Sequence, residues 1–328
     1  MRRLIIQIPC YNERETLPRV LADLPRSVPG VDEVEVLVVD DGSTDGTAEV
    51  ARECGADHVL VLPRHRGLAT AFMAGIERAL EAGADIIVNT DGDHQYRGAD
   101  VARLIVPIVT GEAEVVIGCR PISQMHFSPV KKLLQRVGSG FTRLMSHTRV
   151  EDAPSGFRAI SRKAALRLHI FGQYTYTVEM IIQAGLKGMA ITSVPVQANR
   201  TDRPSRLVRG TGSYLWQQSS TMVRVFMTYR PLRFFAVPGA LLFSAGFLIG
   251  ARFLYHYLLG EGAGHVQSLI LAALLMGMGF FLCVTGLVAD LIGVNRLLLE
   301  RVDQRLRQLE ERRVDELDPL ASLDRPPR

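Results

Sequence analysis

Two patterns of apolar residues divide the chain. Up to about Arg230, short apolar runs alternate with stretches of helical spacing. Leu4–Ile8 is a run with β-branched residues and reads as a strand; Arg14–Leu24 has helical spacing. Val34–Val39 is a near-continuous apolar strand of the kind that suits a parallel sheet covered on both faces. Thr44–Cys54 reads as a helix with Ser43 or Thr44 as its N-cap. His58–Leu62 is a third strand, Gly67–Ala82 a third helix, Asp85–Asn89 a fourth strand, and Val115–Gly118 a further one. Strand–helix alternation at this rhythm predicts an α/β fold with a doubly wound, mostly parallel, Rossmann-like sheet.

The second pattern begins beyond Arg230. Phe234–Ala251 and Leu269–Ala289 carry no charged residue. Each is close to the roughly 20 apolar residues that cross a hydrocarbon core about 30 Å thick. The short intervening segment leaves no room for a domain, so the pair predicts a C-terminal two-helix transmembrane hairpin. Arg224, Arg230 and Arg233 precede the first span; Arg296, Arg301, Arg305 and Arg307 follow the second; the connecting loop carries Glu261 and His265. The positive-inside rule then places both ends in the cytoplasm of a cell-membrane protein. The first apolar run, LIIQIP, is too short to serve as a secretory leader. The division expected is a cytosolic domain over 1–210, a juxtamembrane amphipathic helix over 211–232, spans at 233–259 and 269–293, a charged cytosolic helix over 294–314 and a disordered tail over 315–328. In the charged helix Leu299, Val302, Leu306 and Leu309 recur at 3–4 spacing. That pattern suits a docking helix or a short coiled coil with a second copy, a homo-oligomer contact.

Composition narrows the functional classes. The 328 residues are 47% apolar and 22% charged, which excludes a disordered or fibrous chain. A net charge of +4 is too small to argue for nucleic acid as a partner. Cys10, Cys54, Cys119 and Cys283 are scattered singly, at no metal-ligand spacing and far below the density of a disulfide scaffold.

Ligands of doubly wound sheets bind at the carboxyl ends of the strands, and the polar motifs fall there. PCYNE (9–13) follows the first strand, DDGSTDGT (40–47) the second, and DGDHQ (91–95) the fourth. Three acid-rich loops on one rim repel one another unless a cation or a donor network lies among them. An Asp-x-Asp pair offers hard oxygen ligands that suit Mg²⁺ or Mn²⁺, and Mg²⁺ fills the rest of its shell with water and substrate phosphate. DGDHQ lacks the closing acid of a calcium loop. No Ser/His/Asp or Cys/His set stands out, and the scattered histidines, His58 and His65 among them, read as surface or structural residues, while His94 stands apart inside the DGDHQ motif.

Together with RHRGLATAFMAGI (64–76), GCR (118–120) and SGFRAISRKA (155–164), these motifs resemble a family 2 glycosyltransferase of the GT-A fold over most of residues 1–210. SGFR followed by a two-helix hairpin resembles the polyprenyl-phosphate branch, similar to dolichyl-phosphate mannose synthases and undecaprenyl-phosphate sugar transferases. The resemblance implies an inverting transferase that moves a sugar from a nucleotide-diphosphate donor (UDP or GDP) to a polyprenyl phosphate acceptor at a lipid bilayer, with Mg²⁺ or Mn²⁺.

It also implies roles by motif. Pro9, Tyr11, Glu13, Val39 and Asp41 would hold the nucleoside. Asp91, Gly92 and Asp93 would meet the diphosphate, with Asp91, Asp93 and Gln95 at the metal. Arg120, Arg200 and Arg206 would grip phosphate, and Asp93, Arg120 and Arg206 carry the catalytic expectation. Ser155, Arg158 and Glu179 are placed near the acceptor. The chain departs from the family pattern at Pro204, where glycine is usual, and at Arg64-His65-Arg66-Gly67, where asparagine is common before the glycine. Three other classes fit less well. A processive polysaccharide synthase would carry Gln-x-x-Arg-Trp, which does not precede Trp216. A non-catalytic binding protein would not need Asp91 and Asp93. A nucleotidyltransferase would open with a glycine-rich loop after the first strand.

Overall fold

The computed structural model describes residues 1–120, 150, 152–168, 170, 176–197, 199, 220, 223–224, 226–260 and 266–317. Strands β1 (Arg3–Cys10), β2 (Glu33–Asp40), β3 (His58–Val61), β4 (Ile86–Asn89), β5 (Val115–Cys119), β6 (Arg158–Ser161) and β7 (Ile191–Pro195) form one sheet in the order β3-β2-β1-β4-β6-β5-β7. β1 pairs in parallel with β2 and β4, β2 with β3, and β5 with β7; β6 runs antiparallel between β4 and β5. The helices of this part are α1 (Leu17–Asp23), α2 (Thr47–Glu53), α3 (Leu68–Glu81), α4 (Val101–Val109), α5 (Arg162–Ala165) and α6 (Tyr176–Leu186).

Strand side chains alternate between two cores, as the period of two requires. Ile5, Leu37, Val39, Ile87, Val115 and Ile160 pack with Phe72 and Ile76 of α3 and Tyr176 and Met180 of α6. Leu4, Ile6, Ile8, Val36, Val38 and Val88 pack with Leu17 and Leu21 of α1 and Leu104 and Ile105 of α4. Helices on both faces make the sheet doubly wound, and burial on both faces explains why β1 and β2 read as unbroken apolar runs.

The local expectations hold for the first four strands with small shifts at their ends. The N-cap does not. Helix α2 starts at Thr47, behind Gly46 at φ 84°, so neither Ser43 nor Thr44 caps it. Those residues are spent on the neighbouring loop. The Ser43 hydroxyl accepts from the Asn12 N–H at 2.8 Å, and the Thr44 N–H donates to Asn12 Oδ1 at 2.9 Å.

The chain divides into two units, one built on Met1–Trp216 and the other spanning Gln217–Arg305. Helix α7 (Pro231–Leu258) and the first 31 residues of α8 (Val266–Leu317) each contain an 18-residue stretch of high mean hydropathy, 1.9 and 2.3, and are long and apolar enough to cross a membrane. They approach through small residues. A Cβ on Gly279 would lie 2.6 Å from the Gly239 carbonyl, and one on Gly246 2.8 Å from the Ala272 carbonyl. Gly239 and Gly246, like Ala272 and Gly279, lie seven apart, the repeat of a close helix seam. The first span begins at Pro231 rather than 233. The second apolar stretch and the charged segment, expected as two pieces at 269–293 and 294–314, belong to one continuous helix, and no glycine or proline occurs between Gly293 and Pro319 to interrupt it. The amphipathic segment expected over 211–232 falls largely outside the described residues, and so does the 315–328 tail beyond Leu317.

Candidate active site

Loops from four adjacent strands, β3-β2-β1-β4, meet at the carboxyl edge of the sheet. The PCYNE loop after β1 is strained at Asn12, where φ is 54°; His94 in the DGDHQ loop has φ 58°. Asparagine and histidine tolerate this region better than most side chains, and such strain concentrates at functional loops. Among the described residues these two are the non-glycine positions with positive φ, and both sit inside the motifs singled out from the sequence.

The metal-ligand candidates follow β4. The Asp93 Oδ1 accepts from the Gln95 N–H at 3.1 Å. Asp91 lies against the SGFR loop so tightly that a Cβ on Gly156 would sit 2.5 and 2.6 Å from its two carboxylate oxygens. Burial, followed by the neighbouring Asp93 charge, pushes the Asp91 carboxyl up to about 7, with Arg120 and Arg158 opposing the shift. A pair of crowded carboxylates with a raised pKa fits a divalent cation, whose charge would cancel the repulsion. Among the described residues no three His, Cys, Asp or Glu side chains gather as a closed metal site. Two carboxylates leave the rest of a Mg²⁺ or Mn²⁺ shell to water and diphosphate, so the residues fit such an ion. Asp91 and Asp93 would hold it, and its chemistry there would be to neutralise a departing diphosphate.

The raised carboxyl carries a pH prediction. Without metal, the stability that Asp91 contributes is present below pH ~4 and lost as pH rises through about 7, because burial opposes the charged form. A cation compensates that charge, and below pH 7 it must first displace a proton. The Mn²⁺-induced rise in Tm should therefore be larger at pH 8 than at pH 6 in a thermal-shift titration. Equal increments would remove Asp91 from the metal.

Arg120, beyond β5, is held rather than free. Its Nε donates to Asp152 Oδ2 at 2.8 Å and its Nη2 to Asp152 Oδ1 at 3.2 Å, while Nη1 donates to Gln95 Oε1 at 2.9 Å. Burial opposes its charge, but Tyr96, Asp152 and Asp91 hold the guanidinium above its ordinary pKa. Gln95, expected at the metal, thus spends its side-chain oxygen on Arg120 and ties the arginine to the metal loop.

The other expected residues separate into groups. Pro9 and Val39 are register partners, and both are buried. The Val39 side chain packs in the core against α3, so the expected nucleoside contact is open only to backbone at these positions. Glu13 Oε2 accepts from the Thr16 hydroxyl at 2.7 Å, and a Cβ on Gly92 would sit 3.4 Å from Glu13 Cγ, which ties the first loop to the metal loop. Arg158, expected at the acceptor phosphate, is fully buried. It donates to the carbonyls of Ser155, Ala153 and Thr177 at 2.7 Å each, so it holds the SGFR loop from below. Ser155 is also fully buried, its hydroxyl 3.4 Å from Tyr96 Oη, and Glu179 lies in the first turn of α6 with 7% exposure. Arg200 and Arg206 lie outside the described residues.

Several residues of the site were not singled out in the sequence. Asn89 Nδ2 donates to the Gly156 carbonyl and to Tyr176 Oη at 2.8 Å each, Gln7 Nε2 donates to Asn89 Oδ1, and the Gly156 N–H donates to Tyr96 Oη. This buried polar chain fixes the wall that Asp91 presses on. Its signal in the sequence is slight: Gln7 and Asn89 are polar positions inside otherwise apolar strands. Asn199, past β7, donates its N–H to the Gln95 carbonyl and its Nδ2 to the His94 carbonyl, which ties it to the DGDHQ loop.

Residues 5–168 match the family described as glycosyl transferase family 2. The chain is 32% identical over 205 residues to the undecaprenyl-phosphate mannosyltransferase of Micrococcus luteus, which covers 59% of this chain and 82% of that protein. It is 29% identical over 207 residues to the polyprenol monophosphomannose synthase of Mycolicibacterium smegmatis, covering 60% and 77%. Among solved structures, the fold is similar to glucosyl-3-phosphoglycerate synthase of Mycobacterium tuberculosis in complex with Mn²⁺, UDP and glucosyl-3-phosphoglycerate. That likeness has a TM-score of 0.52 at 23% identity and covers 70% of this chain and 80% of that one.

Proposed function

The chain belongs to glycosyl transferase family 2, and we propose that it moves a sugar from a nucleoside-diphosphate donor to a polyprenyl phosphate while anchored in a membrane by α7 and α8. One observation carries the reading. Asp93 and the clamped Arg120 are joined through Gln95, and both charges act on the buried Asp91 carboxyl. A site for a cation, and so for a leaving diphosphate, thereby sits beside a guanidinium suited to an entering monophosphate. The acceptor class is supported by the relatives, whose names specify undecaprenyl phosphate and polyprenol.

A lipid monophosphate has a second pKa near ~6, so at neutral pH it already carries a nucleophilic oxyanion and needs no protein base. This fits a sequence in which no Ser/His/Asp or Cys/His set stands out. A phosphate oxygen attacks the anomeric carbon, the bond from that carbon to the diphosphate breaks, and the nucleoside diphosphate leaves. Inversion follows from a single displacement. The barrier is the approach of one anion to another, and Arg120, presented by Asp152, lowers it by neutralising the incoming phosphate. Asp152→Asn keeps one acceptor but loses the charge and one arm of the grip. It should lower kcat/KM about 10–100-fold, the ~1.5–3 kcal/mol of a hydrogen bond to a charged group. Metal-dependent nucleotide binding, measured by calorimetry, should stay unchanged, and unaltered kcat/KM would dismiss the clamp.

The hairpin completes the reading. Arg296 near the end of the second span lies 5.1 Å over the Tyr229 ring just before the first, so the two ends share one side. Arg224, Arg230 and Arg233 lie nearby in sequence, and by the positive-inside rule they support a cytoplasmic location for that end of the hairpin. The test uses the full chain in detergent with Mn²⁺ or Mg²⁺, short-chain polyprenyl phosphate and a panel of UDP- and GDP-sugars, read by mass spectrometry. The expected product is one metal-dependent lipid-linked sugar phosphate. Transfer to a soluble phosphorylated acid and none to the lipid would replace the acceptor class.

A further inference from the structure

We propose that His65 and Tyr11 form a two-ring platform, locked by Asp41, on which the nucleobase of the donor stacks, and that His65 thereby sets the affinity for the nucleoside part of the substrate. The inference rests on the nucleotide-sugar reading, which already places Tyr11 and Asp41 at the nucleoside, and gives a role to His65, which lies in the Arg64–Gly67 segment where the chain departs from the family pattern.

The two rings come from different loops. Tyr11 follows β1 and His65 follows β3, yet their centroids are 3.8 Å apart with planes inclined by 24°. Both stay accessible: Tyr11 is 39% exposed and the His65 side chain 50%. Two aromatic side chains stacked at a rim and left half open have free π-face for a third ring, and base–aromatic stacking tolerates any base.

The platform is built rather than incidental. His65 Nδ1 lies 2.8 Å from Asp41 Oδ2, and the Asp41 side chain is 3% exposed. The same carboxylate accepts from the N–H groups of Arg66 and Gly67 at 2.8 Å each, and the Asp41 N–H donates to the Cys10 carbonyl at 2.9 Å. A carboxylate only accepts, so the imidazole donates through a proton on Nδ1. Gly42 is the enabling residue. At φ 70° it brings the β2 loop so close that a Cβ there would lie 2.5 Å from the Arg64 carbonyl carbon. Asp41 therefore locks the loop after β3 against the loop after β1.

The placement suits a nucleoside diphosphate. Asp41 and His65 follow β2 and β3, two and three strands from β4, which carries Asp91 and Asp93. Strands lie about 4.8 Å apart, so the platform stands roughly 10–15 Å from the carboxylate pair, the reach of a nucleotide from base to terminal phosphate.

The experiment compares binding of UDP, GDP and inorganic pyrophosphate, each with Mn²⁺, to the full chain in detergent by calorimetry. His65→Ala should weaken UDP and GDP binding about tenfold or more and leave pyrophosphate binding unchanged. His65→Phe, which keeps a stacking ring, should retain most of the nucleotide affinity; His65→Gln, which keeps a polar contact to Asp41 without a ring, should resemble alanine. Wild-type affinity in His65→Ala, or equal losses for nucleotides and pyrophosphate, would overturn the platform while leaving the transferase reading intact. No nucleotide binding by the wild-type chain would overturn the donor reading itself.

Discussion

Asp93→Asn is expected to abolish sugar transfer, with kcat reduced about a thousandfold or more and the fold intact. The substitution preserves shape and removes one charge from a pair that has few substitutes. Among the described residues no third acid stands close enough to complete a metal site in its place. A cation held by one carboxylate stabilises the departing diphosphate less, and a loss of about 4 kcal/mol in the transition state corresponds to three decades in rate. Asp93 also raises the Asp91 carboxyl, so its neutralisation should bring the Asp91 pKa down. Steady-state transfer rates and circular dichroism check the first claim. Full activity in folded Asp93→Asn protein would remove the metal role.

Gly156→Ala should be nearly as damaging, although the residue has no chemistry of its own. The added methyl would meet both Asp91 oxygens at 2.5 and 2.6 Å and the Asp91 carboxyl carbon at 2.9 Å. The loop cannot retreat easily. Asn89 and Tyr96 hold Gly156 on both its polar atoms, and Arg158 grips the Ala153 and Ser155 carbonyls just before it. Relief must come from turning the Asp91 side chain away, which unmakes the carboxylate pair. We expect the Mn²⁺ dependence to weaken by more than tenfold and transfer to fall with it, while far-ultraviolet circular dichroism stays native. Unchanged Mn²⁺ affinity would show that Asp91 does not depend on this wall.

Much of the molecule can be read along the chain, for a definite reason. β1, β2 and β4 are covered on both faces, so their apolar runs announce themselves, and the acid-rich motifs must then fall at strand ends. The two apolar helices are legible from length and composition alone. β6 is harder. It is short, runs antiparallel, and is inserted between β4 and β5 from a point far along the sequence. Helix α4 was hidden by Pro107, which the helix accommodates near its C-terminal end.

Residue types and their order along the chain determined the fold class, the carboxylate pair and the hairpin, because burial on two faces and transfer out of water are properties of composition and period. What each polar residue does was decided only in three dimensions. Arg158 and Arg120 are the same residue type in motifs of equal promise. One is sealed beneath the SGFR loop on three carbonyls, and the other is clamped between Asp152 and Gln95 of the DGDHQ loop. His65, one of several scattered histidines, becomes half of an aromatic pair because β3, β2 and β1 are neighbours. Hydrogen-bond partners depend on which strands end side by side, and sheet order places residues tens of positions apart within 3 Å of each other.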